Sequence, residues 1–177
     1  MWHAPHGCHV PATTTGKEMD MTDLDRLLAI EAIRLLKARA LRAMDQKCWT
    51  DYEALHAHDH VSDTYGGEPA VGAKANTQRL AQVLEGITTV HHAHMAEITL
   101  TSDDSAEGIW SMEDMLFWKQ GEADHWLHGY GHYHERYRKG PEGWQFVYRR
   151  LTRIRVDLSP GAEFGNLNVR TREAGDV

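Results

Sequence analysis

Along the first quarter of the chain, Ala29, Ile33, Leu36, Ala40 and Ala43 recur at three- and four-residue spacing, which gives a helix one buried stripe. Thr22 and Asp25 stand before it as a capping pair, because the threonine hydroxyl can accept an unpaired N–H of the first turn. The helix is predicted to end at Met44 or Asp45, with Lys37, Arg39 and Arg42 read as lying away from the stripe. A shorter helix is predicted around Thr50 to Ala57, with Tyr52 and Leu55 buried, then a short strand from His60 to Tyr65. Gly66-Gly67-Glu68-Pro69 is a turn on composition. Ala70 to Leu84 returns to helical spacing and Gly86 ends it. From Thr88 the texture changes to β-branched and aromatic runs, predicting strands Thr88–Thr101, Glu107–Lys119, Asp124–Lys139 and Trp144–Leu158.

Helices followed by a meander of long strands is an α+β plan. The expected architecture is a cone-shaped α+β barrel, in which N-terminal helices pack on a strongly bent antiparallel sheet around a cavity. It occupies residues 22–158, with a flexible N-terminal extension at 1–21 and an irregular C-terminal tail at 159–177.

Composition narrows the partners. No stretch approaches the roughly 20 apolar residues of a membrane span. A formal charge of −7 argues against a nucleic-acid binder, whose affinity rests on neutralising phosphates. Arg149, Arg150, Arg153 and Arg155 gather late, but regular alternation puts Arg149, Arg153 and Arg155 on one strand face and Arg150 on the other, so they form no uniform patch. Two cysteines, Cys8 and Cys48, make no disulfide framework, and a reduced cytoplasmic compartment is expected. His3, His6, His9 and Cys8 sit in a Pro- and Thr-containing extension without the charged start and apolar core of a secretory signal. They are read as part of that extension, upstream of a candidate start near Met21, and not as a metal site.

The chemistry centres on Asp45, at the predicted helix end, and His91, opening a strand. An imidazole titrates near neutral pH, and a carboxylate on one ring nitrogen fixes its tautomer and stabilises the imidazolium. His92 faces the opposite way and replaces His91 if the register slips by one residue; His94 follows His92 unless a bulge intervenes. On the following strands Trp110, Met112 and Asp114 share a face and are read as cavity wall. Gly129, Gly131, Tyr133 and Glu135 also share one, where the absent glycine side chains admit a ligand or another strand. His128, Tyr130, His132 and His134 take the other face, expected to meet the outer sheet surface or a second subunit. Three or four ligands must converge on a mononuclear metal. His132-x-His134 has strand-ligand spacing, but its glutamate follows at once as Glu135, so no metal and no cofactor is assigned. There is no Gly-rich phosphate loop or nucleotide fingerprint.

These marks together resemble the nuclear-transport-factor-2-like superfamily, and more specifically its SnoaL-like branch. They are Ala43-Met44-Asp45 followed by Trp49 and Asp51, then Thr89-Val90-His91-His92, then Gly129-Tyr130-Gly131-His132-Tyr133 and Gly143-Trp144 before a basic strand. The resemblance spans roughly Asp23 to Asp157. Scytalone dehydratase, bile-acid dehydratase and hexachlorocyclohexane dehydrochlorinase share this fold and use a His–Asp dyad. The resemblance thus implies Asp45 and His91 as the dyad, Asp114 as a further pocket acid and Arg149 or Arg153 as the pocket arginine. Where several relatives carry a tyrosine before the aspartate this chain has Ala40, so a carbonyl-polarising role passes to another group, such as Tyr133 or Tyr130, or is absent.

The expected function is a cofactor-free lyase or isomerase on a small oxygenated apolar molecule, with dehydration preferred. Asp45, His91 and Asp114 are the catalytic candidates; Trp110, Met112, Tyr133, Arg149 and His92 are the substrate-binding ones. Two alternatives share the fold: a non-catalytic ligand carrier, and a structural subunit resembling the β-subunit of ring-hydroxylating dioxygenases. A homodimer or homotrimer through the outer sheet face is expected.

Overall fold

The computed structural model describes residues 21–64 and 68–164. The N-terminal histidines with Cys8, the Gly66-Gly67 turn and the tail beyond residue 164 lie outside the described residues. Helix α1 (Asp23–Asp45) begins at a capping box: Thr22 Oγ1 accepts from the Asp25 amide at 3.1 Å, and Asp25 Oδ2 accepts from the Thr22 amide at 3.2 Å. It ends where Lys47 takes a left-handed conformation, φ 59°, and the Cys48 amide closes onto the Ala43 carbonyl at 2.8 Å. Helix α2 (Trp49–Ala54) is shorter than predicted, because the chain has already entered strand β1 (His56–Asp63). The two-residue strand β2 (Ala70–Val71) precedes helix α3 (Ala73–Val83). Four long strands follow: β3 (Thr88–Leu100), β4 (Ser105–Gln120), β5 (Ala123–Gly140) and β6 (Gly143–Leu158).

The strands form one open, six-stranded sheet in the order β2-β1-β6-β5-β4-β3. The expected meander is antiparallel throughout, and β1 adds to it parallel to β6, which makes the whole sheet mixed. The β3-to-β6 meander needs only hairpins, whereas β1 joins the free edge of β6 through the long connection made by α3 and the first three meander strands. No described helix is long and apolar enough to cross a membrane.

The stripe of α1 packs on the inner sheet face, with Ile33, Leu36 and Ala40 against Trp110, Tyr133 and Phe146 of one continuous core. Burial of an aliphatic side chain of this kind contributes about 1.5–3 kcal/mol. Lys37 belongs to the same face, four residues after Ile33 and three before Ala40, and is only 1% exposed. The reading of Lys37 as lying away from the stripe is therefore wrong.

Strand β5 alternates as predicted, with Gly129, Gly131, Tyr133 and Glu135 buried and His128, Tyr130, His132 and His134 partly exposed. Both glycines are places of close approach. A Cβ at Gly129 would collide with the Arg153 guanidinium and the Asp114 carboxylate, and one at Gly131 with the Thr152 carbonyl. The second approach comes from a bulge in β6: Tyr130 pairs with Arg155 and Gly131 with Arg153, leaving Ile154 as an extra residue. That residue turns Arg155 outward, where it bonds Asp157 at 2.9 Å, while Arg149 and Arg153 stay inside. The expected common face of the three arginines is thus broken.

Candidate active site

Four elements meet over the inner face. The C-terminal end of α1 supplies Asp45, β3 supplies His91, β4 supplies Asp114, and β5 and β6 supply Tyr133, Arg149 and Arg153. His91 Nδ1 lies 2.6 Å from Asp45 Oδ1, the His91 backbone amide donates to Oδ2 at 3.0 Å, and the Thr89 hydroxyl donates to Oδ1 at 2.9 Å. Lys47 Nζ in turn donates to that hydroxyl at 2.9 Å, so the left-handed turn after α1 fixes the carboxylate from below. Burial works to raise the Asp45 pKa, but the His91 and Thr89 hydrogen bonds outweigh it and hold the carboxyl below its usual range. A carboxylate accepting at Nδ1 places the imidazole proton there and leaves Nε2 with its lone pair.

Asp114 sits directly across the β3–β4 ladder from His91. Arg153 grips it in a two-pronged pair, Nη1 to Oδ1 at 2.6 Å and Nη2 to Oδ2 at 2.7 Å. Both oxygens of Asp114, the expected proton donor, accept from the guanidinium and anchor Arg153 over Gly129. Arg149 is more deeply engaged: its Nε donates to Glu135 at 2.8 Å and its Nη1 to the Tyr52 hydroxyl at 2.6 Å. Its Nη2 is buried without a hydrogen-bond partner among the described residues.

Glu135 is the hub of a buried network that the sequence reading missed. Lys37 Nζ reaches its Oε1 at 2.7 Å, and the Tyr137 hydroxyl donates to Oε2 at 2.7 Å. Trp110 donates its indole N–H to the same Tyr137 oxygen at 2.7 Å. Burial pushes Glu135 upward, yet Lys37 and Arg149 beside it more than compensate and keep it below the usual glutamate range. Burial also brings Lys37 down to about 7, opposed by Glu135 and reinforced by Arg149. The helical position of Lys37 and the inner-face position of Glu135 were the available signals.

His91, Asp114, Tyr133, Arg149 and Arg153 all line one cavity of about 60 Å³, together with Leu80 and Val83 of α3 and Phe164. That is room for a handful of water molecules, well below the roughly 300 Å³ at which drug-sized ligand pockets begin. Burial, with Asp114 nearby, raises the Tyr133 hydroxyl far above the usual phenol range, so it is a neutral donor at physiological pH. Trp110 and Met112 are on the predicted inner face but do not line the cavity; Trp110 belongs to the core around Tyr137, and Met112 sulfur lies 3.9 Å from Arg153.

His92 points outward, away from the cavity at His91, and its side chain is 49% exposed. A bulge does intervene between Ala93 and Ala96, yet His94 stays on the His92 side. On that outer face Glu113 collects His128 Nε2 at 2.6 Å, His94 Nε2 at 3.4 Å and His92 Nδ1 at 3.8 Å. Tyr130 is also outside, bonded to His128, so it cannot supply the hydroxyl that Ala40 lacks. His56 and His60 turn inward on β1, and burial holds both below the ordinary imidazole range, His60 at about 4. Among the described residues no three His, Cys, Asp or Glu side chains converge as metal ligands.

Residues 25–150 match the SnoaL-like domain family, most of the chain. The protein belongs to the SnoaL-like family. Solved structures with the same fold include a putative scytalone dehydratase from Novosphingobium aromaticivorans, 20% identical with a TM-score of 0.70, covering 77% of this chain and 91% of that one. A hexachlorocyclohexane dehydrochlorinase from Novosphingobium barchaimii is 18% identical with a TM-score of 0.69, covering 81% of this chain and 98% of that one. A putative aromatic ring hydroxylase from N. aromaticivorans is 20% identical with a TM-score of 0.67, covering 75% and 93%. At these identities the likeness shows the fold alone, an α+β plan of N-terminal helices on a six-stranded sheet. Within that plan Asp45 and His91 come from the helix end and the first meander strand of the SnoaL-like domain.

Proposed function

We propose that this SnoaL-like protein is a cofactor-free lyase, a dehydratase of a small oxygenated molecule, with His91 as the base and Asp45 as its orienting carboxylate. The observation that carries the reading is the 2.6 Å contact between Asp45 and a His91 ring that faces the cavity. In the proposed reaction His91 Nε2 takes a C–H proton next to a substrate carbonyl. The carbonyl oxygen accepts from the Tyr133 hydroxyl and from the unpartnered Arg149 Nη2, which stabilise the negative charge developing on it. With Asp114 tied to Arg153, the proton held by His91 is the one delivered to the departing hydroxyl. Water leaves, and an unsaturated carbonyl compound remains. Exposed, unpaired Cys48 suits the cytoplasm as its compartment.

The narrow cavity favours one second reading, a structural subunit whose cone takes no substrate. Incubating the purified chain with a panel of small β-hydroxy ketones and β-hydroxy acids separates the two. The lyase reading expects a new ultraviolet band from the conjugated product, undiminished after dialysis against a chelator. Calorimetric binding without any product would assign a ligand carrier, and neither binding nor product would favour the structural subunit.

A further inference from the structure

The walls of the cavity at His91 offer more hydrogen-bond donors than acceptors. Arg149 lines it, and its Nη2 is buried without a partner among the described residues. The Tyr52 hydroxyl accepts from Arg149 Nη1 at 2.6 Å, which leaves its own hydrogen to donate. Ser62 and Thr64 share one hydrogen bond at 3.1 Å; one hydroxyl donates in it, and the hydrogen of the other is left over. The Tyr133 hydroxyl is a further neutral donor. Asp114, the carboxylate on the wall, has both oxygens on Arg153. Charge points the same way. Two buried cations, Lys37 and Arg149, share the single carboxylate of Glu135, and Lys37 Nζ lies 3.6 Å from the centre of the Tyr133 ring. Arg153 balances Asp114, and Asp45 has Lys47 one hydroxyl away. The cluster behind Tyr133 is thus one anion short when Lys37 is protonated, and a buried charge without a partner is costly.

We infer that the cavity takes its ligand as a small monocarboxylate, held by Arg149 and by the hydroxyls of Tyr52, Tyr133 and the Ser62–Thr64 pair. An ionised carboxyl group only accepts hydrogen bonds, and a guanidinium is its strongest partner among side chains. It supplies both the acceptors and the negative charge that this end of the cavity lacks. The fate of that ligand rests on the lyase reading: the carbonyl oxygen placed at Arg149 Nη2 then belongs to the substrate's own carboxylate, and the substrate is a small β-hydroxy acid. His91 takes the proton from the carbon beside the carboxylate and delivers it to the departing hydroxyl. One unsaturated acid and one water result, with no other reactant.

The test uses the full chain and two probes of nearly equal shape, acetate and acetamide, titrated separately and followed by nuclear magnetic resonance. Acetate is expected to bind at least about tenfold more tightly, shifting the signals of Tyr52, Ser62 and His91. Arg149→Met should erase the preference, with circular dichroism checking the fold. Ser62→Ala, which leaves Arg149 in place, should weaken acetate about threefold, the scale of one hydrogen bond. A pH profile gives a readout that a merely structural role would not move. The ionisable side chains around Lys37 are Glu135, Tyr133 and Tyr137 of β5, Arg149 of β6 and His56 of β1. Burial brings Lys37 down to about 7, against Glu135 and with Arg149. An anion on Arg149 favours the protonated lysine, so acetate affinity should fall as pH rises past about 7, and Lys37→Met should flatten the profile. Equal affinity for acetate and acetamide overturns the inference, as does a preference for acetate that survives in folded Arg149→Met. Turnover of 3-hydroxybutyrate and of 4-hydroxy-2-butanone, measured alongside, separates the two readings. Acetate preference without turnover of either upholds the carboxylate site and removes the lyase; turnover of the ketone without acetate preference does the reverse.

Discussion

Turnover of the substrate falls by roughly 10²–10⁴-fold in His91→Ala, the range that a positioned general acid–base group contributes. The expectation rests on geometry: Nδ1 is committed to Asp45, and Nε2 is the one ring nitrogen left to meet a substrate proton in the cavity. Ligand affinity should change little, because the cavity is walled mainly by Leu80, Val83, Leu116 and Phe164. Asp45→Asn should lower turnover by a smaller factor. An amide N–H directed at Nδ1 would favour the other tautomer and would not stabilise the imidazolium. The His91 backbone amide can still donate to the remaining carbonyl oxygen of the side chain, so folding should survive. Because Asp45 is held below the usual carboxylate range, its bonded form persists above the unfolded value near 3.9 and is lost only as pH falls through the lower folded value. Steady-state kinetics of both variants, with binding measured separately, checks the assignment.

The second large effect is on stability. Glu135→Ala leaves Lys37 and Arg149 buried without their shared carboxylate, and removing one partner of a buried ionic network costs about 3–5 kcal/mol. Urea denaturation should register this as a lower midpoint, and loss of under about 1 kcal/mol would show that the network is not held in the native state. The same cluster predicts a pH dependence. Lys37 is brought down to about 7 in the fold, whereas an unfolded lysine titrates near 10.4. Between those values the unfolded chain binds a proton that the folded chain does not, so stability should rise as pH increases from about 7 towards 9. Below about 7 both states hold the proton and the term is flat. Lys37→Met should remove the rise, and an unchanged pH slope in that variant would contradict the assignment.

Much of the fold was legible because alternation along the strands is a strict code. It separated His91 from His92, and it put Met112 with Asp114 and Gly129 with Tyr133, before any coordinates. The helix stripe was equally clear, but a charged residue within it was assigned to solvent by type, and Lys37 was misplaced although its spacing from Ile33 and Ala40 puts it inside. Alternation also fails where the chain departs from it. The extra residue at Ile154 turns Arg155 outward, and no composition signal marks such a bulge. Pairing partners of a short strand are not written in its own pattern, which is why the parallel union of β1 with β6 went unpredicted. The chemistry of Asp114 depended on a partner 39 residues away, Arg153, reached only once β4, β5 and β6 lie side by side. Cavity size is a property of packed volumes and has no counterpart in spacing at all.

The central claim, that His91 moves a carbon-bound proton, is tested most directly by solvent exchange. A small β-hydroxy ketone incubated with the protein in deuterium oxide should gain deuterium at the carbon next to its carbonyl, read by mass spectrometry even where elimination is slow. The native chain should incorporate label, and His91→Gln, of similar reach but without a basic ring nitrogen, should fall to the rate of buffer alone. Equal incorporation by the native chain and His91→Gln would contradict the account.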